Sequence, residues 1–410
     1  MRPVLPSTPV TGGPPHGDDA AGLREGRTRV TDTADTSDGL PGDGEPRRRS
    51  RKSRLLRWAA LGASVAVAAA AVLGWSVYQK LDGNIRTDPD TTRELEQYAA
   101  ERPEAVVHGA LDILVIGSDN RGDGNGEYGR DSGSQRSDTT MLLHLAADRR
   151  SATAVSIPRD LMVDIPACDK PDGTRTAAQF AQFNWAFEFA GAACTIRTVE
   201  QLTGIRVDHH MIVDFNGFKR MVDAVGGVEV CLAEPVNDLR AQLRLPAGRQ
   251  LLGGEEALGY VRARYSLGDG TDTERMARQQ QFLAAMVKKV QSSGVLFNPA
   301  RLYPLLDAAT ASLTTDPGLA SLKDLYDPAR GMREIPASGM RFLTVPRQPY
   351  RFDANRDELV QPDASVLFQA LIDDERVAVS EEAGTAAQED TRAEGPSSYL
   401  GTTAEDSMCE

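Results

Sequence analysis

The sequence VSIPRDLMVD, residues 155–164, places an arginine and an aspartate directly after a short apolar run. The run predicts a buried strand that delivers Arg159 and Asp160 to its carboxyl end. In open α/β sheets, ligands bind beyond the carboxyl ends of the strands. Arginine carries a permanently charged fork that grips phosphate oxygens, so the segment predicts an α/β fold with a phosphate site at one sheet edge. Taken alone, Arg159 and Asp160 could equally form a structural ion pair.

Two carboxylates lie at comparable positions upstream. Asp119 follows the apolar run 111–116 and its closing glycine, and Asp138 precedes the run 139–145. Paired carboxylates are how proteins hold a divalent metal against phosphates. Taken alone, Asp119 could cap its own turn and Asp138 could cap a strand. Their placement beside the same predicted sheet edge favours one joint site.

Further arginines follow in the downstream half. Arg262 and Arg264 alternate within YVRARY and therefore face the same way on an extended stretch. Arg275, Arg278 and Gln279 recur near the start of the next predicted helix. Arg275 and Arg278 stand three apart and share a helix face, which could as easily be a solvated stripe.

Composition indicates a globular chain with an acidic balance. The 410 residues are 40% hydrophobic and 26% charged, with a net charge of −13. Such a length allows one to three domains. Nucleic-acid binding depends on a broad basic surface, so this balance argues against a nucleic-acid partner. Any arginines that bind a ligand must be concentrated in one site.

The N-terminal region predicts a membrane anchor. Residues 1–46 are rich in Pro, Gly, Thr and Asp and are expected to form a disordered cytoplasmic arm. The anchor, 47–80, joins a basic cluster to an uncharged stretch that is long enough, as a helix, to cross a bilayer. The basic cluster predicts a single-pass cell-membrane protein with a cytoplasmic N-terminus and an extracytoplasmic domain. The alternatives are a cleaved signal peptide, with Ala68-Ala69-Ala70 as its cleavage site, and a twin-arginine export signal.

Four cysteines suit an exported protein, in which disulfides persist. Cys168 and Cys194 flank a polar loop and a predicted helix, and we expect them to pair; two free thiols are the alternative. Cys231 is expected to be a small buried apolar residue, and Cys409 to be unpaired in the tail. The motif CxxC is absent, which leaves zinc knuckles and redox catalysis without support.

Strands and helices alternate over 110–372, which predicts one three-layer α-β-α domain with a central mixed sheet. A connector, 81–109, precedes this domain, and an acidic disordered tail, 373–410, follows it. Strands are predicted at 111–116, 139–145, 152–157, 205–213, 228–232 and 342–345. Helices are predicted at 180–189 with a second one ending near 202, and at 215–224, 254–262, 275–290, 300–310 and 364–372.

Seven segments, in sequence order, resemble one known family. They are LDILVIGSDNR, RSDTTMLLHL, VSIPRDLMVDIP, FNWAF, TVEQLTGIRVDHHMIVDFNGF, MVDAVGGVEV and GGEEALGYVRARY through RMARQQQFL. Together they are similar to the LytR-CpsA-Psr family of cell-wall glycopolymer transferases. The plan of that family, with a short cytoplasmic arm, one membrane span and an extracytoplasmic α/β domain, is similar to the organisation that composition predicts.

The resemblance implies an enzyme that moves a glycan-phosphate from a polyprenyl diphosphate lipid to a hydroxyl of peptidoglycan, with Mg²⁺ or Mn²⁺ as cofactor. By motif matching, Asp119 and Asp138 would hold the metal. The catalytic set would be Arg136, Arg159, Asp160, Arg262 and Arg264. The substrate-binding set would be Arg121, Asn184, Arg275, Arg278 and Gln279. The transferred polymer could be teichoic acid, arabinogalactan or capsule.

Several alternatives stay open at this point. The loop 121–135 is long enough to shift the alignment of Arg121, and it lacks the ligand spacing of a calcium loop. The apolar residues at 180–189, with Phe215 and Phe218, could line a tunnel for the polyprenyl tail or simply pack the core. A non-catalytic lipid-diphosphate scaffold or sensor and a lipid diphosphate hydrolase are the alternative functions.

Overall fold

The computed structural model describes residues 51–118, 137–170, 172–263, 272–292, 294, 298–380 and 398–406. The helices are α1 Arg51–Asn84, α2 Pro89–Gln97, α3 Asn184–Thr203, α4 Phe215–Ala224, α5 Gly254–Arg262, α6 Asp272–Ser292, α7 Pro299–Thr310, α8 Leu322–Glu334 and α9 Asp363–Ile372. The first strands are β1 Arg86–Thr87, β2 Leu111–Ser118, β3 Ser137–Leu145, β4 Ala152–Ile157, β5 Met162–Ile165, β6 Gln179–Gln182, β7 His209–Asp214, β8 Val228–Leu232 and β9 Val236–Asp238. The others are β10 Leu243–Leu245, β11 Gly248–Leu252, β12 Leu313–Thr315, β13 Met340–Thr344, β14 Arg347–Tyr350, β15 Asp353–Leu359, β16 Ala378–Ser380 and β17 Ser398–Thr403.

Nine of the described strands form a mixed sheet in the order β1-β12-β7-β2-β3-β4-β13-β17-β16. β2 is parallel to β7, and β4 is parallel to β13, whereas β3 is antiparallel to both of its neighbours. The carboxyl ends of β2, β4, β7 and β13 therefore meet at one edge of the sheet, called the carboxyl edge below. The predicted α/β fold with a central mixed sheet is confirmed.

The two faces of this sheet are covered by different helices. Leu114 and Ile116 of β2 belong to a core that includes residues of α3 and α9. Ile113, on the same strand, belongs with Met141 to a second core that includes residues of α6 and α8. Successive side chains of a strand point to opposite faces, so β2 alone contributes to both layers. A third core joins α4, α5 and α6 to the antiparallel pair β8 and β11.

Helix α1 is long and apolar enough to cross a membrane over Arg54–Asn84, and its most apolar window has a mean hydropathy of 1.9. The C-terminal end of this helix contacts α7. Lys80 Nζ lies 3.0 Å from Asp307 Oδ1, and Asn84 Nδ2 donates to the same oxygen at 2.9 Å. Leu81 is buried between these two polar contacts. The end of α1 is thus fixed to the domain before β1 joins the sheet.

The prediction of a disordered tail over 373–410 is wrong for the described part of that segment. β17 pairs antiparallel with β13 and parallel with β16. Tyr399 packs into the core that contains α3, and Ala404 is fully buried on the opposite face. The six residues SYLGTT carry no charge, although the tail around them is acidic, and they enter the sheet by pairing with the distant strand β13.

The prediction of one helix over 180–189 is wrong at its beginning. β6 covers Gln179–Gln182 and pairs antiparallel with β5. α3 starts only at Asn184, and Gly191 interrupts it with a φ of +70°. The predicted strand 205–213 is shorter than expected, since β7 begins at His209. Short runs of aromatic residues fit both a helix and a strand pattern, which explains the first error.

Cys168 and Cys194 form the expected disulfide, with their Cα atoms 5.6 Å apart. It joins the loop after β5 to the second half of α3. Cys231 is also disulfide-bonded, so the prediction of a simple buried apolar residue is wrong. The strand-like sequence around it gave no sign of a disulfide. Cys409 lies outside the described residues.

Candidate active site

An apolar cavity of about 380 Å³ lies between the sheet and helices α4, α5 and α6. Its apolar lining comprises Val115, Met141, Val213, Phe215, Phe218, Met221, Leu258, Val261, Phe282, Leu283 and Met286. Cavities of this size, lined mainly by apolar and aromatic side chains, are typical of small-molecule sites. The sequence left open whether Phe215 and Phe218 line a tunnel or pack in the core, and in the structure both line the cavity. The 180–189 segment does not contribute to its lining.

Three arginines and a glutamine line the same cavity. Arg159 follows the carboxyl end of β4, and Arg262 belongs to the last turn of α5. Arg275 and Gln279 lie near the start of α6, four residues apart and therefore on one helix face. Thr139 and Asp214 are the other polar residues of the lining. The structure thus brings together, in one mainly apolar cavity, cationic side chains that are far apart in the sequence.

Arg159 is both a cavity residue and a member of an ion pair. Its Nε donates to Asp160 Oδ2 at 3.2 Å. Asp160 Oδ1 accepts from Gln182 Nε2 at 2.8 Å and from Arg356 at 3.4 Å. Asp160 does not line the cavity, so its contacts orient the guanidinium of Arg159. The two sequence interpretations of this pair are therefore compatible.

Arg262 and Arg275 approach the cavity from two helices. The guanidinium of Arg262 lies over the Phe215 ring, 4.7 Å from its centroid, which is a cation–π contact. Arg275 is only 5% exposed, so the alternative of a solvated arginine stripe is wrong for this residue. The guanidinium of Arg275 therefore meets the cavity from within the protein rather than from the solvent-exposed face of α6.

Arg278 differs from its neighbours on α6. It donates to the backbone carbonyl of Ala263, and burial lowers its pKa. It does not line the cavity, whereas Gln279 does and also donates to the carbonyl of Val261 at 3.0 Å. Arg278 therefore fixes the backbone that follows Arg262, and Arg275 and Gln279 face the cavity.

Asn184, the first residue of α3, contacts the backbone of Arg159. The backbone N–H of Asn184 donates to the carbonyl of Arg159 at 3.0 Å. The side chain is buried, and its Oδ1 accepts no hydrogen bond from the part of the chain that the structure describes. A buried carbonyl oxygen in this state costs about 1–3 kcal/mol. Asn184 is not part of the cavity lining.

The remaining predicted site residues lie outside the described part of the chain. They are Asp119, Arg121, Arg136, Arg264 and the side chain of Asp138. Their roles stay predictions, although β2 ends at Ser118 and β3 begins at Ser137, and these two residues pair at the carboxyl edge. Among the described residues, no group of three or more His, Cys, Asp or Glu could hold a metal ion.

Sequence reasoning missed the β14–β15 hairpin, which lies beside Arg159. Arg347 of this hairpin contacts Asp357 and Thr273, the second residue of α6. The N–H of Asp357 donates to the Asp160 carbonyl at 3.1 Å, and Arg356 reaches the Asp160 carboxylate. The signal that could have found this hairpin is the arginine-rich, aromatic sequence RQPYRFDANR at 347–356.

The part of the chain that contains the cavity is similar in sequence to known proteins. A family model described as the LytR_cpsA_psr family matches residues 77–371. The chain is 38% identical over 264 residues to the cell wall biosynthesis protein LcpA of Corynebacterium glutamicum, covering 58% of this chain and 50% of LcpA. It is 29% identical over 255 residues to the polyisoprenyl-teichoic acid–peptidoglycan teichoic acid transferase TagU of Enterococcus faecalis, covering 62% of this chain and 75% of TagU. The match to LcpA thus spans about half the length of that relative.

Among solved structures, a LytR-Csp2A-Psr enzyme from Actinomyces oris has the same fold, with a TM-score of 0.53. The alignment has 22% identity and covers 66% of this chain and 93% of that chain. The family model spans more than half of the chain and includes every residue that lines the cavity. The chain therefore belongs to the LytR-CpsA-Psr family.

Proposed function

We propose that this protein transfers a glycan-phosphate from a polyprenyl diphosphate lipid to a hydroxyl of peptidoglycan. The observation that carries the proposal is the meeting of Arg159, Arg262 and Arg275 at one apolar cavity. An isoprenoid chain gains about 0.8 kcal/mol for each methylene that it buries. Guanidinium groups are suited to the diphosphate that follows the chain. The name of the relative TagU supports a polyisoprenyl-linked donor and a peptidoglycan acceptor.

The proposed reaction breaks one bond and forms one bond at phosphorus. The acceptor hydroxyl oxygen attacks the phosphorus next to the glycan and loses its proton, which the departing polyprenyl monophosphate can accept. The bond from that phosphorus to the bridging oxygen breaks, and polyprenyl monophosphate leaves with the electron pair. Negative charge grows on the bridging oxygen and the non-bridging oxygens, and fixed arginines counter it without reorganisation. Asp160 contributes by holding the guanidinium of Arg159 in place.

The proposal also includes a divalent cation. Mg²⁺ or Mn²⁺ held by Asp119 and Asp138 would supply further positive charge against the diphosphate. Carboxylate oxygens are the ligands that both ions favour, so the donor set fits the ion. These two side chains lie outside the described residues, and the roles of the arginines stand independently of the metal.

Membrane attachment by α1 suits a lipid donor. In the sheet, Arg86 pairs with Thr314, Thr314 with Ile212, and Ile212 with Ile116. β1 is antiparallel in direction to β2, so Asn84, at the end of α1, lies beyond this row toward the carboxyl edge. The helix thus enters the domain on the edge where the arginines gather. We infer that a membrane-embedded α1 would keep this edge near the lipid headgroups.

The test uses the full chain in lipid nanodiscs with a lipid-linked glycan donor and a peptidoglycan acceptor. Arg159→Ala and Arg262→Ala should each lower the transfer rate by about 10²–10³, the loss typical when one group that stabilises developing charge is removed. Arg330→Ala, on the exposed surface of α8, is the matched control and should keep the wild-type rate. Undiminished transfer by Arg159→Ala and Arg262→Ala would reject the proposal.

The same assay separates the alternatives. A hydrolase would release glycan-phosphate at the same rate with and without acceptor. A scaffold or sensor would bind the lipid but give no product, with or without Mg²⁺. Mass spectrometry of lipid that co-purifies with the chain would show whether its glycan is teichoic acid, arabinogalactan or capsule.

A further inference from the structure

An exposed aromatic cluster lies at the surface formed by β6 and the β14–β15 hairpin. Its members are Phe180, Tyr350 and Phe352. The ring centroids of Phe180 and Tyr350 are 6.0 Å apart, and those of Tyr350 and Phe352 are 5.4 Å apart. Phe180 is 52% exposed and Phe352 is 73% exposed. Large apolar rings that gather at the surface mark an interaction site more often than single exposed residues do.

A polar groove of about 570 Å³ adjoins this cluster, and Phe180 is part of its wall. The rest of its lining combines apolar residues with planar hydrogen-bonding side chains. The apolar residues are Ile165, Pro166, Ala167 and Ala178, and the hydrogen-bonding ones include Asp164, Arg175, Gln179 and Arg197. Arg197 is fixed in place, since its NH2 lies 3.0 Å from Glu101 and its guanidinium stacks 3.5 Å from the Tyr98 ring centroid. The groove therefore presents ordered polar groups next to an exposed aromatic ring.

The cluster reaches the proposed active site through β6. Phe180 and Gln182 are two residues apart on one strand, so they face the same side at a separation of roughly 7 Å. Gln182 donates to Asp160, and Asp160 holds Arg159. Arg356, from the hairpin that carries Phe352, reaches the same carboxylate. The cluster and the groove thus continue the surface around Arg159.

The groove and the apolar cavity lie on opposite faces of the central sheet. Val163 of β5 and Ala181 of β6 pack into the core that contains α3. Met141, which lines the cavity, belongs to the core that contains α6. In phosphoryl transfer the attacking and leaving oxygens are roughly in line on opposite sides of phosphorus. An acceptor that approaches from the side of the groove would therefore attack in line with a lipid that leaves toward the cavity.

We propose that the aromatic cluster and the polar groove bind sugar rings of the acceptor glycan. A pyranose ring presents C–H bonds on one face, which pack on the negative face of an aromatic ring, and hydroxyls at its rim, which need polar partners. The groove offers both. A bilayer would instead bury Asp164, Gln179 and Arg175 in an apolar medium at high cost. This inference rests on the proposed function for the identity of the acceptor.

The binding test uses the full chain in nanodiscs and a soluble chitooligosaccharide, a β-linked N-acetylglucosamine oligomer, as the probe in calorimetry. Phe180→Ala and Phe352→Ala should each weaken its affinity about three- to tenfold, the loss expected for one ring contact. Tyr326→Ala is the matched control, because Tyr326 is a similarly exposed aromatic residue on α8. Equal affinity in all three variants, or no binding by the wild type, would overturn the inference.

Kinetics separate this inference from the proposed function. Phe180→Ala and Phe352→Ala should raise KM for the glycan acceptor and leave KM for the lipid donor unchanged. Arg159→Ala should lose transfer and still bind the chitooligosaccharide. Undiminished transfer by Arg159→Ala would reject the proposed function. An unchanged acceptor KM in both phenylalanine variants would reject only the proposal that the aromatic cluster and groove bind the acceptor.

A membrane-facing role for the cluster is the competing outcome. A nitroxide attached to Phe352→Cys reports its surroundings through collisions with dissolved oxygen, which concentrates in lipid, and with a water-soluble nickel chelate. We expect greater access to nickel, reduced when the chitooligosaccharide binds. Greater access to oxygen would place the ring in the bilayer and overturn the inference.

Discussion

Filling the apolar cavity should weaken binding of the lipid tail without altering the arginines. Leu283 of α6 is half-buried and lines the cavity. Leu283→Trp adds roughly six heavy atoms, and each tail carbon that they displace forfeits about 0.8 kcal/mol of burial. Part of the indole would occupy free space, so about two to four carbons are displaced and roughly 1.5–3 kcal/mol is lost. The dissociation constant of the donor should then rise roughly 10- to 150-fold.

The assay compares a long-chain and a short-chain polyprenyl diphosphate donor in the same transfer reaction. Leu283→Trp should raise KM for the long-chain donor and change KM for the short-chain donor little, since a short tail has fewer carbons for the indole to displace. Leu251→Trp makes the same chemical change on β11, where the side chain is 59% exposed, and serves as the control. A long-chain KM that matches the wild type would refute the placement of the tail in this cavity.

Two further predictions concern buried ionic groups. Glu200 is 3% exposed and accepts hydrogen bonds from Arg102 at 2.6–3.0 Å, so Glu200→Ala should lower the free energy of unfolding by about 3–5 kcal/mol in denaturant titrations. Combining Glu200→Leu with Arg102→Met should restore most of this loss, and a double variant no better than Glu200→Ala would contradict the ion-pair explanation. Burial lowers the pKa of His144, but hydrogen bonds with Asp112 and Asp374 outweigh it and leave the pKa above 6.5. Charged His144 therefore stabilises the fold fully below pH 6.5, and this stabilisation is lost as the pH rises through the raised pKa. The difference in free energy of unfolding between wild type and His144→Gln should thus shrink from about pH 6 to pH 9, and a difference that grows would contradict the prediction.

The parts of the fold that the sequence predicted are those with strong local patterns. β2, β3 and β4 are dense apolar runs bounded by turn residues, and their structure agrees with the predicted strands within two residues. β17 escaped prediction because its place in the sheet depends on pairing with β13, more than fifty residues earlier in the chain. Local sequence carries little information on such a long-range pairing. Phe180 was misassigned because its spacing from Phe183 also fits a helix.

The residues of the candidate site differ in the same way: those in local motifs were predicted, and those that depend on tertiary packing were not. Strand ends and the family motifs indicated Arg159 and Arg262, and both line the cavity. The motifs could not separate Arg275 from Arg278, because the rotation of α6 against the sheet decides which one faces the cavity. The sequence also gave no reason to join Phe352 to Phe180. These rings share a surface only because β14–β15 folds back onto the segment that follows β4.

The carboxyl edge of the sheet would let one site serve the two proposed substrates, which differ in chemical character. A polyprenyl tail needs an apolar enclosure, whereas a glycan needs hydrogen-bonding groups beside aromatic rings, and one surface cannot supply both without burying polar groups. The sheet separates the two environments, since one face meets α6 and the other meets α3. Residues that follow the strand ends belong to neither face and can contact both. Arg159 has this position: it lines the cavity, and Asp160 joins it to β6 and the hairpin. The end of β4 therefore places Arg159 where the proposed glycan-phosphate would pass from a lipid in the cavity to an acceptor at the groove.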